Sequence, residues 1–419
     1  MAYQDITLAQ RRPDYISGIP SEFFATETNR FFYELGYRTS IFQRLRGTGA
    51  SAVVDTRYNF EKGSGMTTSY TRRQDLDPEN YIEIGTADIS TTRERLAEDY
   101  TSFTAQYIGK QTFFVGQTVA TIASAYGSII NAGRYQLARW LQRFVDCRFF
   151  KAIAEGYDFN AAGKMPYGCR MCVGHDVDFP YYDDTPLIEL LKNTIPQDLS
   201  ANQEYEQWSM TPTHLRYLYK SAISNKYGAD EIQPAELEMG QLIDSPSFYL
   251  LVDSDAAMAL KSNAEFREVV YSVGRDLGAG HGSALRRSLY LGRFNNLEIY
   301  EIPELQQLKV KGSFFNMNTP SEKRVSISIL LGAGALGEAI GQMREFNPED
   351  ENDPHTDTQY HTLQFVHGVS SLKFPVHKPL LEQNKGNGDP IGANGEKIEQ
   401  GIMFSFTVNH KLGNWHADA

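Results

Sequence analysis

The residues best placed to do chemistry are Gly332-Ala333-Gly334-Ala335-Leu336-Gly337, which satisfy GxGxxG. They lie between a strand-like run, Val325 to Leu331, and a stretch, Gly334 to Arg344, whose apolar residues recur at helical spacing. A dinucleotide fingerprint needs that context, because the glycines let the backbone approach a pyrophosphate and the helix N-terminus meets its charge. An NAD(P)-dependent oxidoreductase using 332–337 is therefore one reading of the chain. Against it, the next segment, 347–357, is an acidic, proline-containing loop, not a second parallel strand ending in Asp or Glu. The roughly 80 residues beyond the motif read as antiparallel β, so no second mononucleotide half can form. The other role for these glycines is close helix packing.

Cys169-Arg-Met-Cys172 with His175 offers three potential zinc ligands on a loop, but no second pair supplies a fourth at a recognised spacing. A redox role would need a thioredoxin-like βαβ frame, which the pattern lacks. The nine histidines are scattered, and no HExxH, GxSxG or GxxxxGK occurs. His355, His361 and His367 recur every six residues, a spacing that suits neither a helix face nor a strand face. The acidic loop 347–357 lacks the one, three, five spacing and closing Glu of a calcium loop. The sequence thus predicts no catalytic, cofactor-binding or metal-ligating residue.

The elements that would carry any such groups are organised around one long helical pattern, Gln117 to Ala154. Ile122, Tyr126, Ile129, Gly133, Leu137, Trp140, Phe144 and Cys147 fall on one stripe at spacings of three and four. At ~1.5 Å per residue this helix would be roughly 57 Å long. Leu141, Val145 and Phe149 add apolar surface outside the stripe, so the second half is expected to be covered on more than one side. Gly127 and Gly133 are the expected break points if it divides in two.

Before it, residues 1–45 read as an aromatic arm with a short helix near Thr28 to Leu35, in need of a surface to lie on. Ala52 to Phe60 and Met66 to Arg73 are β-like around a turn at 61–65, and Tyr81 to Ser90 is extended again, which suggests a long polar flap. An isolated two-stranded ribbon is marginal in water, so the flap should rest on another surface or belong to an ordinary meander. After the helix, 163–184 reads as an irregular connection. Thr211-Pro212 opens a helix as N-cap and first turn. Phe248 to Val252, Leu297 to Ile302 and Val325 to Leu331 read as strands; Asp253 to Ser262, Glu265 to Val273 and Gly334 to Arg344 read as helices. In the closing strand, Gly401 to His410, the residues Ile402, Phe404, Phe406 and Val408 alternate with Met403, Ser405, Thr407 and Asn409, which predicts one buried face.

The formal net charge of -12 and pI near 5.3 argue against a tightly gripped nucleic acid, since phosphate neutralisation needs clustered Lys and Arg. An acidic protein can still enclose DNA. Three cysteines in 419 residues imply no disulfide framework and a reducing compartment. The N-terminus has no signal-peptide core and no run reaches the ~18 apolar residues of a membrane span, so a soluble intracellular product with no membrane partner is expected.

Taken in order, these elements resemble the tailed-phage major capsid proteins, the fold of the Hong Kong ninety-seven phage. Local strings carry the likeness furthest: Ser247-Phe-Tyr-Leu-Leu-Val-Asp253, Leu291-Gly-Arg-Phe-Asn-Asn-Leu-Glu-Ile-Tyr-Glu301, Val325 to Ile340, and Val366-His-Gly-Val-Ser-Ser-Leu-Lys-Phe374. The resemblance implies an α+β fold with an N-terminal arm (1–45), an extended β flap or E-loop (46–115), and a peripheral P-domain (116–204 and 346–419). That P-domain would contain the spine helix (117–156) and returning strands (358–412), beside an axial α/β A-domain (205–345). It further implies a structural, non-enzymatic shell subunit whose partners are itself, in hexamers and pentamers, with scaffolding, portal and decoration proteins, around double-stranded DNA. An encapsulin-like compartment of the same fold is a further possibility. The first 45 residues do not resemble a cleavable scaffolding segment, and Lys62, the lysine at the flap tip, has no marked partner, so no intersubunit crosslink is expected.

Overall fold

The computed structural model describes residues 31–32, 40–49, 51–58, 67–73, 98–115, 126–155, 170–175, 177–179, 207–223, 232–235, 238–239, 242–243, 247–276, 290–302, 305, 325–346, 358–375, 380–384, 390–391, 397–399 and 401–408. The first strands are β1 (Arg46–Gly47), β2 (Val54–Tyr58), β3 (Thr67–Arg73), β4 (Glu98–Thr104) and β5 (Gln106–Val115). The long helix α1 (Tyr126–Glu155) follows, then β6 (Arg170–Val173), β7 (Val177–Phe179), α2 (Pro212–Ile223), β8 (Phe248–Val252), α3 (Ser254–Ser262) and α4 (Ala264–Asp276). The chain closes with β9 (Tyr290–Phe294), β10 (Leu297–Glu301), β11 (Val325–Leu331), β12 (Leu336–Phe346), β13 (Thr358–Ser371) and β14 (Ile402–Val408).

Two sheets organise these strands. The larger has seven, in the order β9-β10-β8-β11-β14-β6-β7; the smaller has five, in the order β1-β2-β12-β13-β5. In the larger sheet the strand side chains alternate between two cores. Tyr249, Leu251, Ile327, Ile329, Leu331, Phe404, Phe406, Met171 and Val173 point to one, together with α1. Phe248, Leu250, Val252, Leu330, Met403 and Cys172 point to the other, with Leu215 and Leu218 of α2, Leu260 of α3 and Phe266 of α4. The expected single buried face of β14 is thus corrected. Gly401 to Thr407 are all buried, because α2 covers the face that Ser405 and Thr407 made look wet.

Helix α1 runs unbroken through Gly127 and Gly133, 30 residues long. Its buried row is Leu137, Leu141, Val145, Phe149 and Ile153, while Cys147 is exposed and Trp140 and Phe144 are half-buried. The expected stripe holds at Gly133 and Leu137 and is displaced by about one position from Trp140 onward, while its start, 117–125 with Ile122, lies outside the described residues. The half-buried rings dock the helix on the smaller sheet, where Trp140 and Phe144 meet Phe365 of β13 at 6.2 and 5.9 Å. Among the described residues no helix is long and apolar enough to cross a membrane.

Within residues 1–45 only 31–32 and 40–45 are among the described residues, and these lie on the chain's own helix α1. Phe32 is fully buried, Phe31 packs on Tyr135 of α1, and Phe42 stacks on Phe149 at 4.4 Å. Ser40 caps the short 3-10 turn Ile41–Leu45 and donates to Asp146 of α1 at 2.5 Å. In the flap, β2 and β3 do not pair with one another. Strand β3 pairs with β4, antiparallel from Thr67↔Thr104 to Arg73↔Glu98, and β2 joins the smaller sheet beside β12. The ribbon rests on the body through Tyr70, which stacks on Phe103 and packs with Leu372 and Phe374. The flap turn at 61–65, the extended run 81–90 and the acidic loop 347–357 lie outside the described residues.

Candidate functional site

The helix expected over Gly334 to Arg344 is a strand, β12, paired antiparallel with β13 and parallel with β2. Its apolar residues Leu336, Ala339, Ile340 and Met343 match helical spacing, but both faces of the strand are buried and a bulge lies between Ile340 and Met343, which hides any period of two. The glycine segment therefore leads into no helix N-terminus. Its amides are also engaged: Gly332 donates to Gly401 O (2.8 Å), Ala333 to Gln233 O (2.8 Å) and Gly334 to Ala52 O (2.7 Å). A Cβ on Gly332 would meet Gln233 O at 2.5 Å, Gly334 has φ +63°, and a Cβ on Gly337 would meet Leu372 at 2.8 Å. These glycines join the two sheets, and the NAD(P)-dependent oxidoreductase reading loses its frame.

The strongest concentration of charge lies next to that crossing, and nothing in the sequence pattern announces it. Glu338 of β12 is fully buried, and its carboxylate accepts from Arg46 Nε (2.6 Å) and Nη2 (2.8 Å), from Thr56 Oγ1 (3.1 Å) and from His367 Nε2 (3.1 Å). Thr56 is the register partner of Glu338 across the β2–β12 pair. Tyr70 of the ribbon donates its hydroxyl to the Glu338 carbonyl at 2.7 Å, and Arg46 lies 5.4 Å over the Phe149 ring of α1. One carboxylate thus gathers β1, β2, the β3–β4 ribbon, helix α1 and strand β13 around a two-pronged Arg–carboxylate fork.

Burial would push the Glu338 carboxyl up, but the Arg46 charge and the His367 hydrogen bond outweigh it and hold it at about 2. Burial lowers His367, against the pull of Glu338, so it stays neutral. Burial also pushes the Tyr70 hydroxyl far above its ordinary value. A committed carboxylate, a neutral imidazole and a shut-in phenol make a buried clamp. Arg46 and Glu338 are 292 positions apart, and only a buried glutamate in a strand could have signalled the pair.

A second polar cluster joins α2 to the larger sheet. His214 is fully buried; its Nε2 lies 2.7 Å from Ser405 Oγ, and its ring stacks on His175 at 5.3 Å. His175 Nε2 lies 3.1 Å from Thr211 Oγ1, whose oxygen also accepts from the His214 amide as the expected helix cap. Burial, then the neighbouring His175, lower His214 to about 3. The 163–184 connection is corrected here, since β6 and β7 form a hairpin in the larger sheet with Cys172 buried and its thiol donating to Gly174 O at 3.2 Å. Cys169 and His355 lie outside the described residues. Among the described residues no group of three His, Cys, Asp or Glu could hold a metal ion.

No protein-family model matches the sequence, and no curated protein does. Solved structures do match. The capsid of Ralstonia phage GP4 aligns at a TM-score of 0.59 and 13% identity over 89% of this chain and 92% of that one. The head of Helicobacter pylori bacteriophage KHP40 gives 0.55 and 14% over 88% and 91%. The capsid of cyanophage Pam1 gives 0.54 and 12% over 89% and 93%. The backbone path is shared over about nine tenths of each chain at identities of 12–14%, and the chain therefore has the fold of the tailed-phage major capsid proteins, that of the Hong Kong ninety-seven phage head.

Proposed function

We propose that the protein is the major capsid protein of a tailed phage, a structural subunit without chemistry of its own. It assembles in the host cytoplasm into hexamers and pentamers of an icosahedral head around double-stranded DNA, with scaffolding, portal and decoration proteins as partners. The observation that carries this reading is the likeness to phage head proteins over about nine tenths of the chain. The buried clamp supports it, because a carboxylate spent on tying arm, flap, helix and strand together serves a subunit that must hold its shape under load. Residues 1–45 act as the arm, 46–115 as the flap over a neighbour, 205–345 as the axial domain and 116–204 with 346–419 as the peripheral domain.

Sedimentation velocity of the expressed protein, with electron microscopy of the fast fraction, tests it. Closed shells or six- and five-fold rings are the expected result, and those shells should fall to single-subunit bands on a denaturing gel, since Lys62 forms no crosslink. A compact monomer or dimer that never assembles, even beside its co-expressed neighbours, overturns the proposal.

A further inference from the structure

Helix α1 turns a line of cations outward. Arg139, Arg143, Cys147 and Lys151, four residues apart, are all exposed, which sets neighbouring side chains about 5–6 Å apart on the helix surface. A solvated helix ordinarily interleaves such cations with acids three or four positions away. The acids of α1 are Asp146, turned inward to Ser40, and Glu155 at its last position, four residues beyond Lys151, so the Arg139–Arg143 pair is the part of the row that no outward acid follows. Arg134 and Arg148, the other cations, are engaged at the rims: Arg134 lies 4.0 Å over Phe31, and Arg148 donates to Gln106 Oε1 at 2.9 Å. Arg139, Arg143 and Lys151 form no ion pair among the described residues. Arg139 and Arg143 repel one another at this spacing, and the fold offers that pair no internal compensation.

In a chain of net charge -12 this row is a local reversal of sign that calls for an anion from outside. We propose that Arg139, Arg143 and Lys151 form a contact surface for the phosphate backbone of duplex DNA, through which the shell touches its contents. The inference rests on the shell reading above and names the surface that would face inward. The contact is independent of base sequence, since cations on a convex helix reach phosphates and read no base edges. Each contact is weak against the overall negative charge and gains strength from the many copies in a shell.

Binding of a fluorescent duplex of about 20 base pairs to the unassembled full-length protein, titrated between about 50 and 200 mM salt, tests this directly. Replacing the three cations (R139Q, R143Q, K151Q) is expected to lower the slope of log K against log salt by about 2.7, or about 0.9 for each phosphate no longer neutralised. A control of equal charge change elsewhere on the surface, K220Q with K261Q and R267Q, is expected to leave the slope as it was. Equal losses in both triples would reduce the effect to overall charge and overturn the proposal, as would an undiminished slope in the α1 triple. Retention of polyglutamate without retention of duplex would overturn it in favour of an acidic protein partner. Should the triple fail to fold, R143Q alone carries the test, with an expected drop of about 0.9. Because unassembled protein is used, failure to form shells and failure to bind DNA are read separately.

Discussion

Glu338 shows what a buried charge does when it is fully engaged by the fold. Its two oxygens meet Arg46, Thr56 and His367, so removing its charge strands the Arg46 guanidinium in a core where both side chains are almost wholly shielded. E338Q keeps the volume and is expected to cost about 3–5 kcal/mol of stability, read as a fall in the denaturant midpoint. Replacing both partners, R46M with E338M, should cost less than E338Q, because no uncompensated charge remains; an equal or greater cost would show that the pair itself stabilises. The histidines act in the opposite sense. His214 and His367 are held neutral by burial, His214 down to about 3, while an unfolded histidine protonates near 6.5. The unfolded chain then binds more protons below 6.5, so stability is full above that pH and is lost as pH falls towards the folded value, at up to about 1.4 kcal/mol per pH unit for each histidine. Thermal midpoints between pH 7.5 and 5 should therefore fall with acid, and H214Q, which can still meet Ser405, should flatten that fall. An unchanged slope in H214Q would mean that His214 takes its proton in the folded state.

At the scale of elements, what is legible in the sequence follows from how many sides of each element are covered. Strands β8 and β11, helix α3 and the Thr211 cap of α2 are readable, since local chemistry announces them: Thr211 Oγ1 accepts from the His214 amide at 3.3 Å. Strand β12 reads as a helix because both its faces are buried, so its apolar residues fit a helical period as well as any other. From Trp140 onward the stripe of α1 reads one position off because three surfaces share that helix: the arm through Phe42, the larger core through Leu141 and the smaller sheet through Phe144. Strand β3 reads as the partner of β2, since short range favours that hairpin, whereas Tyr70 needs the Glu338 carbonyl and the Phe103 ring. The Arg46–Glu338 fork is invisible for the same reason. Long-range pairing leaves no period in a sequence, and here it decides where arm, flap and returning strand meet.

The whole molecule is tied across the boundary that the order of elements suggests. From that order residues 205–345 are expected to form an axial unit beside a peripheral one. Yet β11 lies between β8 on one side and β14 on the other, with unbroken antiparallel register to both. One sheet therefore carries hydrogen bonds from β8 and β10 through β11 into β14, the strand that closes the chain. Its two faces serve the two cores in alternation, so loosening either core withdraws support from the same backbone. A large protein with two cores often melts in two steps; this connection predicts one. Calorimetry of the unassembled subunit should show a single transition. F404A, on the α1 side of β14, and L250A, on the α2 side of β8, should each shift that same transition by an amount matching about 2–5 kcal/mol. Two transitions, each moved by only one of these substitutions, would show that the sheet can part between β8 and β11. Strands β8 to β10 with their helices would then fold by themselves, and on the proposed shell reading a change of shape would have its hinge along that seam.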